Sequence, residues 1–326
     1  MKAIVVAEAG DAGVLKLRDT PAPQLSAGEA LVRMTAAGVN FSDIYMRRGT
    51  TARYQNSFPF TPGREGAGTV ESVAPNVTFV KPGDRVAFAG AMGSYAEYIS
   101  VNAAQLVPVP DFISLTDAAG VMLQGMTAHY LTNDICPIHQ GDTVLVHAAA
   151  GGVGLLCIAM LKRIGARIIG TVSNEAKATI AREAGADYLI NYTTHDFAKE
   201  VLTYTNGRGV DYIIDGVGNT TFLKNLEVIR IRGNICLFGS ASGDVEPYSA
   251  NVLIPKSVSL HGALLGHFIA TRETLLNRAN ALFSAMHDGW LKPRIETVLP
   301  LEQAAEAHRL LESRQTSGKL ILSVAE

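Results

Sequence analysis

Residues 142–154 constrain this chain more than any other stretch. An apolar run ending in Val144-Leu145-Val146-His147 leads into Ala148-Ala149-Ala150-Gly151-Gly152-Val153-Gly154, and a helical segment over 154–164 follows. Gly165 ends that helix, as a residue free to turn left-handed does. The same texture then repeats. Strands are expected at 167–172, 188–191, 212–215 and 234–238, and helices at 175–183, 196–204 and 221–231, with Gly185 as a second helix stop. Strands that alternate with helices need crossover connections, so their sheet is parallel and doubly wound.

The turn reads A-x-G-x-x-G, with Ala149 in place of the usual first glycine. Ala150, Gly151, Gly152, Val153 and Gly154 form a candidate phosphate cradle. Gly151 lets backbone approach a pyrophosphate, Gly154 lets helix and strand pack closely, and the helix start offers free N–H groups and a positive dipole end. A second strand–helix unit directly behind the motif makes dinucleotide binding the expected function, against the alternative of a purely structural turn.

The tip of the second strand indicates which dinucleotide. An Asp or Glu there would accept from a ribose 2′-hydroxyl and repel a 2′-phosphate. The strand ends Gly170-Thr171-Val172-Ser173-Asn174, with no acid until Glu175 in the following helix. Ser173 offers a hydroxyl, Lys177 a cation within one turn, and Tyr192 closes the next strand; the other reading of Lys177 is a solvated surface lysine. The balance predicts NADPH as cofactor.

The first 120 or so residues differ in texture. Short apolar runs at 30–34, 68–73, 85–88 and 95–100 are punctuated by Gly and Pro, and a helical pattern begins only at 117–130. These runs imply a compact, partly open β-barrel. Beyond the doubly wound part, helices are expected at 271–288 and 301–313 and a final strand at 319–324. The opening MKAIVVAEAG is expected to be a first strand rather than a signal peptide. A net charge of −2 gives no reason to expect nucleic acid or an anionic membrane surface as partner. No apolar run is long enough for a membrane span. Cys136, Cys157 and Cys236 stand far apart, without metal-ligand or redox spacing, as expected of free core thiols in a cytoplasmic protein.

With Ala37-Gly38-Val39-Asn40-Phe41-Ser42-Asp43, Pro62-Gly63-Arg64-Glu65-Gly66-Ala67-Gly68, Lys81-Pro82-Gly83-Asp84-Arg85-Val86, the Ala148 to Gly154 turn and Ser317-Gly318-Lys319, the chain resembles the medium-chain dehydrogenase/reductase superfamily. The resemblance is to its zinc-free quinone oxidoreductase branch, which includes zeta-crystallin, and covers essentially the whole chain. It implies a GroES-like catalytic domain at 1–124 and 268–326, interrupted by a Rossmann domain at 125–267, with substrate and nicotinamide meeting between them. Zinc-dependent members carry Cys where Asn40 stands and His where Arg64 stands, and a further Cys before the Rossmann part. The corresponding segment, Val121-Met122-Leu123-Gln124-Gly125-Met126-Thr127, has none. Zinc is therefore not expected. The resemblance places Asn40 and Tyr45 in the active site, the other reading of Tyr45 being a packed loop aromatic. It places Thr127, Tyr130, Val217, Phe238, Ser240, Leu264 and Gly318 beside the cofactor, and leaves Asp43 and Arg64 with either a structural or a functional role. It also implies a homodimer paired through the strand at 257–262.

The expected activity is NADPH-dependent reduction of a quinone or related conjugated carbonyl. The alternatives are reduction of the C=C bond of an enone, enal or enoyl thioester, and, in a different class, a non-catalytic NADPH-binding, crystallin-like protein.

Overall fold

The computed structural model describes residues 1–49 and 56–324 and divides into two units, Met1–Met126 with Phe268–Glu326, and Thr127–His267. In the first unit, β1 (Lys2–Val5) pairs antiparallel with β2 (Lys16–Asp19). Then come β3 (Glu29–Val39), α1 (Phe41–Arg48), β4 (Glu65–Val73), β5 (Arg85–Ala89), β6 (Tyr98–Asn102), β7 (Val107–Pro108) and α2 (Leu115–Asn133), which runs on into the second unit. The second unit contains β8 (Thr143–Val146), α3 (Gly152–Ile164), β9 (Arg167–Val172), α4 (Glu175–Glu183), β10 (Tyr188–Asn191), α5 (Phe197–Tyr204), β11 (Val210–Asp215), α6 (Asn219–Val228), β12 (Ile229–Leu237) and β13 (Ser259–Gly262). After the short α7 (Leu265–Phe268), the chain returns to the first unit with α8 (Arg272–His287), β14 (Ile295–Pro300), α9 (Ala304–Glu312) and β15 (Lys319–Ser323).

Among the described residues, the first unit's main sheet has seven strands in the order β14-β15-β3-β4-β5-β7, with β6 also on β3. β3 begins as an alternating strand, with Ala30, Val32 and Met34 buried and Arg33 exposed. From Ala36 to Val39 both faces are covered, and there β15 pairs antiparallel with it, Val39 opposite Leu320. The C-terminal strand thus completes the sheet that the N-terminal residues begin. Val32, Met34, Phe88, Tyr95, Leu106 and Leu322 belong to the core beneath.

The second unit's six strands are all parallel, in the order β10-β9-β8-β11-β12-β13. β8 is first in sequence yet central in the sheet, so the strand order reverses beside it. Crevices at the C-terminal ends of strands at such a reversal are where doubly wound sheets bind ligands. Every residue of β11 is buried, as a central parallel strand covered on both faces requires.

Most elements fall where the sequence places them, with α4, β9 and β10 matching to the residue. Three differ. The helix expected at 221–231 ends at Val228, and 229–231 open β12 instead. There Lys256 Nζ takes the carbonyls of Leu226, Glu227 and Ile229 at 2.9, 2.7 and 2.9 Å, capping the helix by a tertiary contact. The helix expected from Gly154 starts two residues earlier, with Gly151 as its N-cap. The strand expected from Tyr95 begins at Tyr98, because Tyr95 belongs to a turn in which its N–H bonds Pro62 O at 3.1 Å. No helix among the described residues is long and apolar enough to cross a membrane.

Candidate functional site

In the second unit, the Ala148–Gly154 turn leaves β8 at the reversal point. Ala148 adopts φ 51°, and Gly154 lies against the turn so closely that a Cβ on it would stand 2.5 Å from Ala148 O and 2.8 Å from Ala149 O. Backbone cannot yield there, so this position requires glycine. Gly151 caps α3 without a side chain, leaving the first-turn amides with no side-chain acceptor. Open amides at a helix start suit an anionic group, so the turn fits the pyrophosphate of a dinucleotide.

Beside it, β9 ends with half-buried Ser173, whose carbonyl accepts from Thr193 Oγ1 at 3.3 Å. Asn174 caps α4 by accepting from the Lys177 backbone N–H at 2.9 Å, which sets Lys177 in the first turn. Tyr192 is 45% exposed. Glu175, the nearest acid, is drawn towards Arg182 at 3.5 Å, along its own helix.

The ends of β8, β9 and β11 are tied by a buried chain that sequence reasoning missed. Asp215 accepts from the N–H groups of Val217 and Gly218 at 2.7 and 3.1 Å, from Thr221 Oγ1 at 2.7 Å and from Asn225 Nδ2 at 2.7 Å. Asn225 Oδ1 accepts from His147 Nε2 at 2.7 Å, and His147 Nδ1 lies 3.1 Å from Thr171 Oγ1. A carboxylate so fully bonded is a brace for the loop carrying Val217. Its only trace in the sequence is an acid directly after the apolar run Tyr212-Ile213-Ile214. Phe238 is half-buried over Gly216, Ser240 is buried, Leu264 is half-buried beyond β13, and Thr127 and Tyr130 are buried on α2. The three cysteines are free and buried, and burial pushes Cys136 up to about 11 and Cys236 up to about 12, so both are inert thiols.

In the first unit, Asn40 is the N-cap of α1 and only 4% exposed. Its Nδ2 donates to Glu65 Oε2 at 2.9 Å and to Gly38 O at 3.3 Å, and its Oδ1 accepts from Lys319 Nζ at 2.8 Å. Lys319 also pairs with Glu65 Oε2 at 2.5 Å, and Glu65 Oε1 takes the Leu123 backbone N–H at 2.6 Å. A Cβ on Gly38 would stand 2.3 Å from Glu65 Oε2 and 2.7 Å from Ala119 O, so glycine makes room for the carboxylate. Gly318 turns with φ +90° where a Cβ would meet Arg294 O at 2.3 Å, which gives it a structural reason to be glycine. One position after Leu123 in the chain, Gln124 Oε1 is buried without a hydrogen-bond partner among the described residues. Tyr45 is half-buried one turn into α1, its ring 6.2 Å from that of Phe41. Arg64 is half-buried and donates to Gly90 O at 3.4 Å.

A second buried chain runs beside it. Arg47 Nη1 lies 3.1 Å from His308 Nδ1, His308 Nε2 lies 3.2 Å from Tyr95 Oη, and Tyr95 donates to Asp43 Oδ2 at 3.0 Å. Arg47 faces Nδ1 as a donor, so the ring proton belongs on Nε2. Burial, with Arg47 adding to it, pushes His308 down to about 3. Burial raises Asp43 to about 6 against the opposing pull of the Asn40 N–H and Tyr95. Glu65, Lys319, Tyr95 and His308 were not candidates from sequence; the signal was a charged residue set within an apolar run, as Lys319 precedes Leu320-Ile321-Leu322.

The donor set does not suit zinc. Asn40 and Arg64 stand where a thiolate and an imidazole would be needed, and the Lys319 ammonium already neutralises Glu65. No group of three His, Cys, Asp or Glu among the described residues is arranged to hold a metal ion.

The chain matches the family model of the alcohol dehydrogenase GroES-like domain at residues 26–111 and that of the zinc-binding dehydrogenase at residues 152–281. A quinone oxidoreductase from Pseudomonas aeruginosa is 38% identical over 323 residues, 98% of this chain and 99% of that protein. A 2-haloacrylate reductase from a Burkholderia species is 37% identical over 305 residues, 90% of each. The structure of Escherichia coli quinone oxidoreductase complexed with NADPH superimposes with a TM-score of 0.96 at 35% identity, covering 99% of this chain and 100% of that one. With its GroES-like unit, its parallel dinucleotide-type sheet and this degree of identity along nearly its full length, the chain belongs to the quinone oxidoreductase branch of the medium-chain dehydrogenase/reductase superfamily.

Proposed function

We propose that this protein is a zinc-independent, NADPH-dependent quinone oxidoreductase acting on quinones or related conjugated carbonyl acceptors. The observation that carries the reading is the intact strand–turn–helix at Ala148–Gly154, in a chain matched over 98% of its length by a quinone oxidoreductase. The amides at Gly151–Gly154 hold the pyrophosphate, and Ser173, Lys177 and Tyr192 receive the 2′-phosphate at an acid-free strand end. In the second unit Thr127, Tyr130, Val217, Phe238, Ser240 and Leu264 are the candidates for the remaining contacts to the cofactor, and Gly318 is a candidate in the first unit. Bound NADPH supplies the hydride. Asn40 and Tyr45 serve the reacting end, where alignment and a hydrogen bond to the developing oxyanion are the main needs.

The relation to a 2-haloacrylate reductase favours a second reading, reduction of an activated C=C bond. Both acceptors are conjugated carbonyl systems that take hydride without a metal. We further propose a homodimer. β13 is an edge strand, and exposed Ile231, Val252 and Ile254 belong to β12 and to the 3₁₀ segment before β13, a surface that a second copy would cover. Free, buried thiols fit a reducing cytoplasm.

NADPH oxidation against a panel of quinones, enals, 2-haloacrylate and enoyl thioesters tests the activity. Quinone turnover is expected. Turnover of none of these, with NADPH still bound, would leave a binding protein instead. Light scattering at micromolar concentration tests the dimer, and a monomer there removes it.

A further inference from the structure

The buried chain at the ends of β8, β9 and β11 has a fixed direction. Asp215 only accepts, and one of its partners is Asn225 Nδ2 at 2.7 Å. With its amide nitrogen committed there, Asn225 offers His147 only Oδ1, so His147 Nε2 at 2.7 Å must donate. The Thr171 hydroxyl hydrogen has no other acceptor among the described residues, so His147 Nδ1 at 3.1 Å takes it. The Thr171 oxygen then keeps a lone pair for the Ala148 backbone N–H at 3.3 Å. His147, Thr171 and Asn225 are all buried, so water does not compete for these bonds. Phe197 packs edge-on against the His147 ring at 5.0 Å and fixes its plane.

Ala148 depends on such a partner more than its neighbours do. It takes φ 51°, a left-handed conformation that a residue with a Cβ reaches only at a cost. Its carbonyl accepts from the Gly151 N–H at 2.8 Å and is the wall against which Gly154 packs. The conformation of Ala148 therefore sets where the open amides of α3 point. At the other end of the chain, Asp215 holds the N–H groups of Val217 and Gly218.

We infer that His147 is a positioning residue for the cofactor: with Thr171 and Asn225 it ties the phosphate turn to the Val217 loop through one directed set of hydrogen bonds, and so holds Ala148 in the shape that receives the pyrophosphate. The ring acts through Ala148 and not on the cofactor itself. The inference rests on the reading that the Ala148–Gly154 turn holds the pyrophosphate.

The test opens the chain at either end. Thr171→Val keeps the shape of the side chain and removes the hydroxyl, and Thr171→Ser restores it. Asn225→Leu removes the acceptor of Nε2 at the far end, on α6. Each variant is titrated with NADPH, NADH and adenosine 2′-monophosphate, which lacks the pyrophosphate. Thr171→Val and Asn225→Leu should each weaken NADPH and NADH alike by roughly tenfold, the scale of a lost hydrogen bond, and leave adenosine 2′-monophosphate at the parental affinity. Thr171→Ser should bind as the parent does. The combined Thr171→Val/Asn225→Leu variant should lose no more than the worse single one, since either opens the same chain. A second readout needs no ligand: nitrogen nuclear magnetic resonance of the His147 ring, its signal identified by its loss in His147→Gln. The parent ring should carry its proton on Nε2, with and without NADPH. A parent ring protonated on Nδ1 would overturn the inference. So would parental affinities in both variants, an equal loss of all the ligands, or additive losses in the combined variant. If Asn225→Leu does not fold, the two Thr171 variants and the ring decide it. A parent that holds NADPH no more tightly than adenosine 2′-monophosphate would refute the pyrophosphate reading of the turn and this inference with it, whereas the other adverse results leave that reading standing.

Discussion

The methyl group of Ala149 fills the space where a side chain on Gly170 would stand: a Cβ at Gly170 would lie 2.7 Å from Ala149 Cβ. The phosphate turn has alanine where its first glycine is usual, and the adjacent strand β9 lacks a side chain opposite it. The two positions are coupled. Gly170→Ala should destabilise the second unit by about 1–3 kcal/mol through overpacking and weaken NADPH binding by displacing the turn. A Cβ at Gly170 would also meet Leu189 Cδ2 at 2.9 Å, so the double variant Ala149→Gly/Gly170→Ala should recover the part of both losses that the Ala149 methyl causes. Thermal melts and NADPH titration of the three variants check this, and a Gly170→Ala protein with parental stability would show the turn has room to spare.

Lys177 should read the 2′-phosphate. Its backbone N–H is fixed by Asn174 at 2.9 Å, and Glu175 leans towards Arg182 at 3.5 Å. A charge-assisted contact contributes about 1.5–3 kcal/mol, so Lys177→Ala should weaken NADPH by roughly tenfold or more and leave NADH nearly unchanged. Equal losses for the two cofactors would assign Lys177 to the helix surface only.

Legibility of the sequence followed the range of the forces involved. β9, α4 and β10 are set by local signals, an apolar run, an Asn N-cap and a glycine stop, and could be read to the residue. The end of α6 could not, because Lys256 caps it from about thirty positions away in the chain. The phosphate turn is a local motif and was visible. The setting of Asn40 was not: its partners Glu65 and Lys319 lie 25 and 279 positions away. Resemblance could name Asn40, while the ion pair that orients it appears only when β15 pairs with β3.

Purified protein should hold no stoichiometric zinc. A divalent ion beside Asn40 would have to displace the ammonium of Lys319, which already pairs with Glu65 at 2.5 Å, and no thiolate or imidazole stands at Asn40 or Arg64 to bind it. Elemental analysis showing one metal per chain, with activity lost to a chelator, would contradict this.

Tyr45→Phe should lower kcat roughly tenfold and spare NADPH affinity. Loss of a single donor to a full oxyanion costs about 10²–10³ in rate, and a quinone, already a strong electrophile, asks less of it. Tyr45→Phe turning over every acceptor at the parental rate would leave Tyr45 as a lining residue.

The chain Asp43–Tyr95–His308–Arg47 should give the protein an acid response whose two halves oppose each other. His308 titrates at about 3 when folded against 6.5 ordinarily. Below pH 6.5 the unfolded chain therefore takes up this proton and the folded one does not, so stability falls as pH drops from 6.5 towards 3. Asp43 titrates at about 6 when folded against 3.8 ordinarily. Between these values the folded state binds the proton and the unfolded one does not, so stability rises as pH drops from 6 to 3.8. The two contributions offset each other in that window, and net loss from this pair is confined to the edges, just above 6 and below 3.8. Other groups titrate too, so the comparison is between variant and parent. His308→Gln keeps an acceptor for Arg47 and a donor for Tyr95, and removes the titrating ring. Its melting temperature relative to the parent should rise as pH falls from 6.5 to 4. Asp43→Asn leaves His308 unopposed and should lose stability faster than the parent over the same range. Parallel pH curves for all three proteins would mean that neither group is shifted in the folded state.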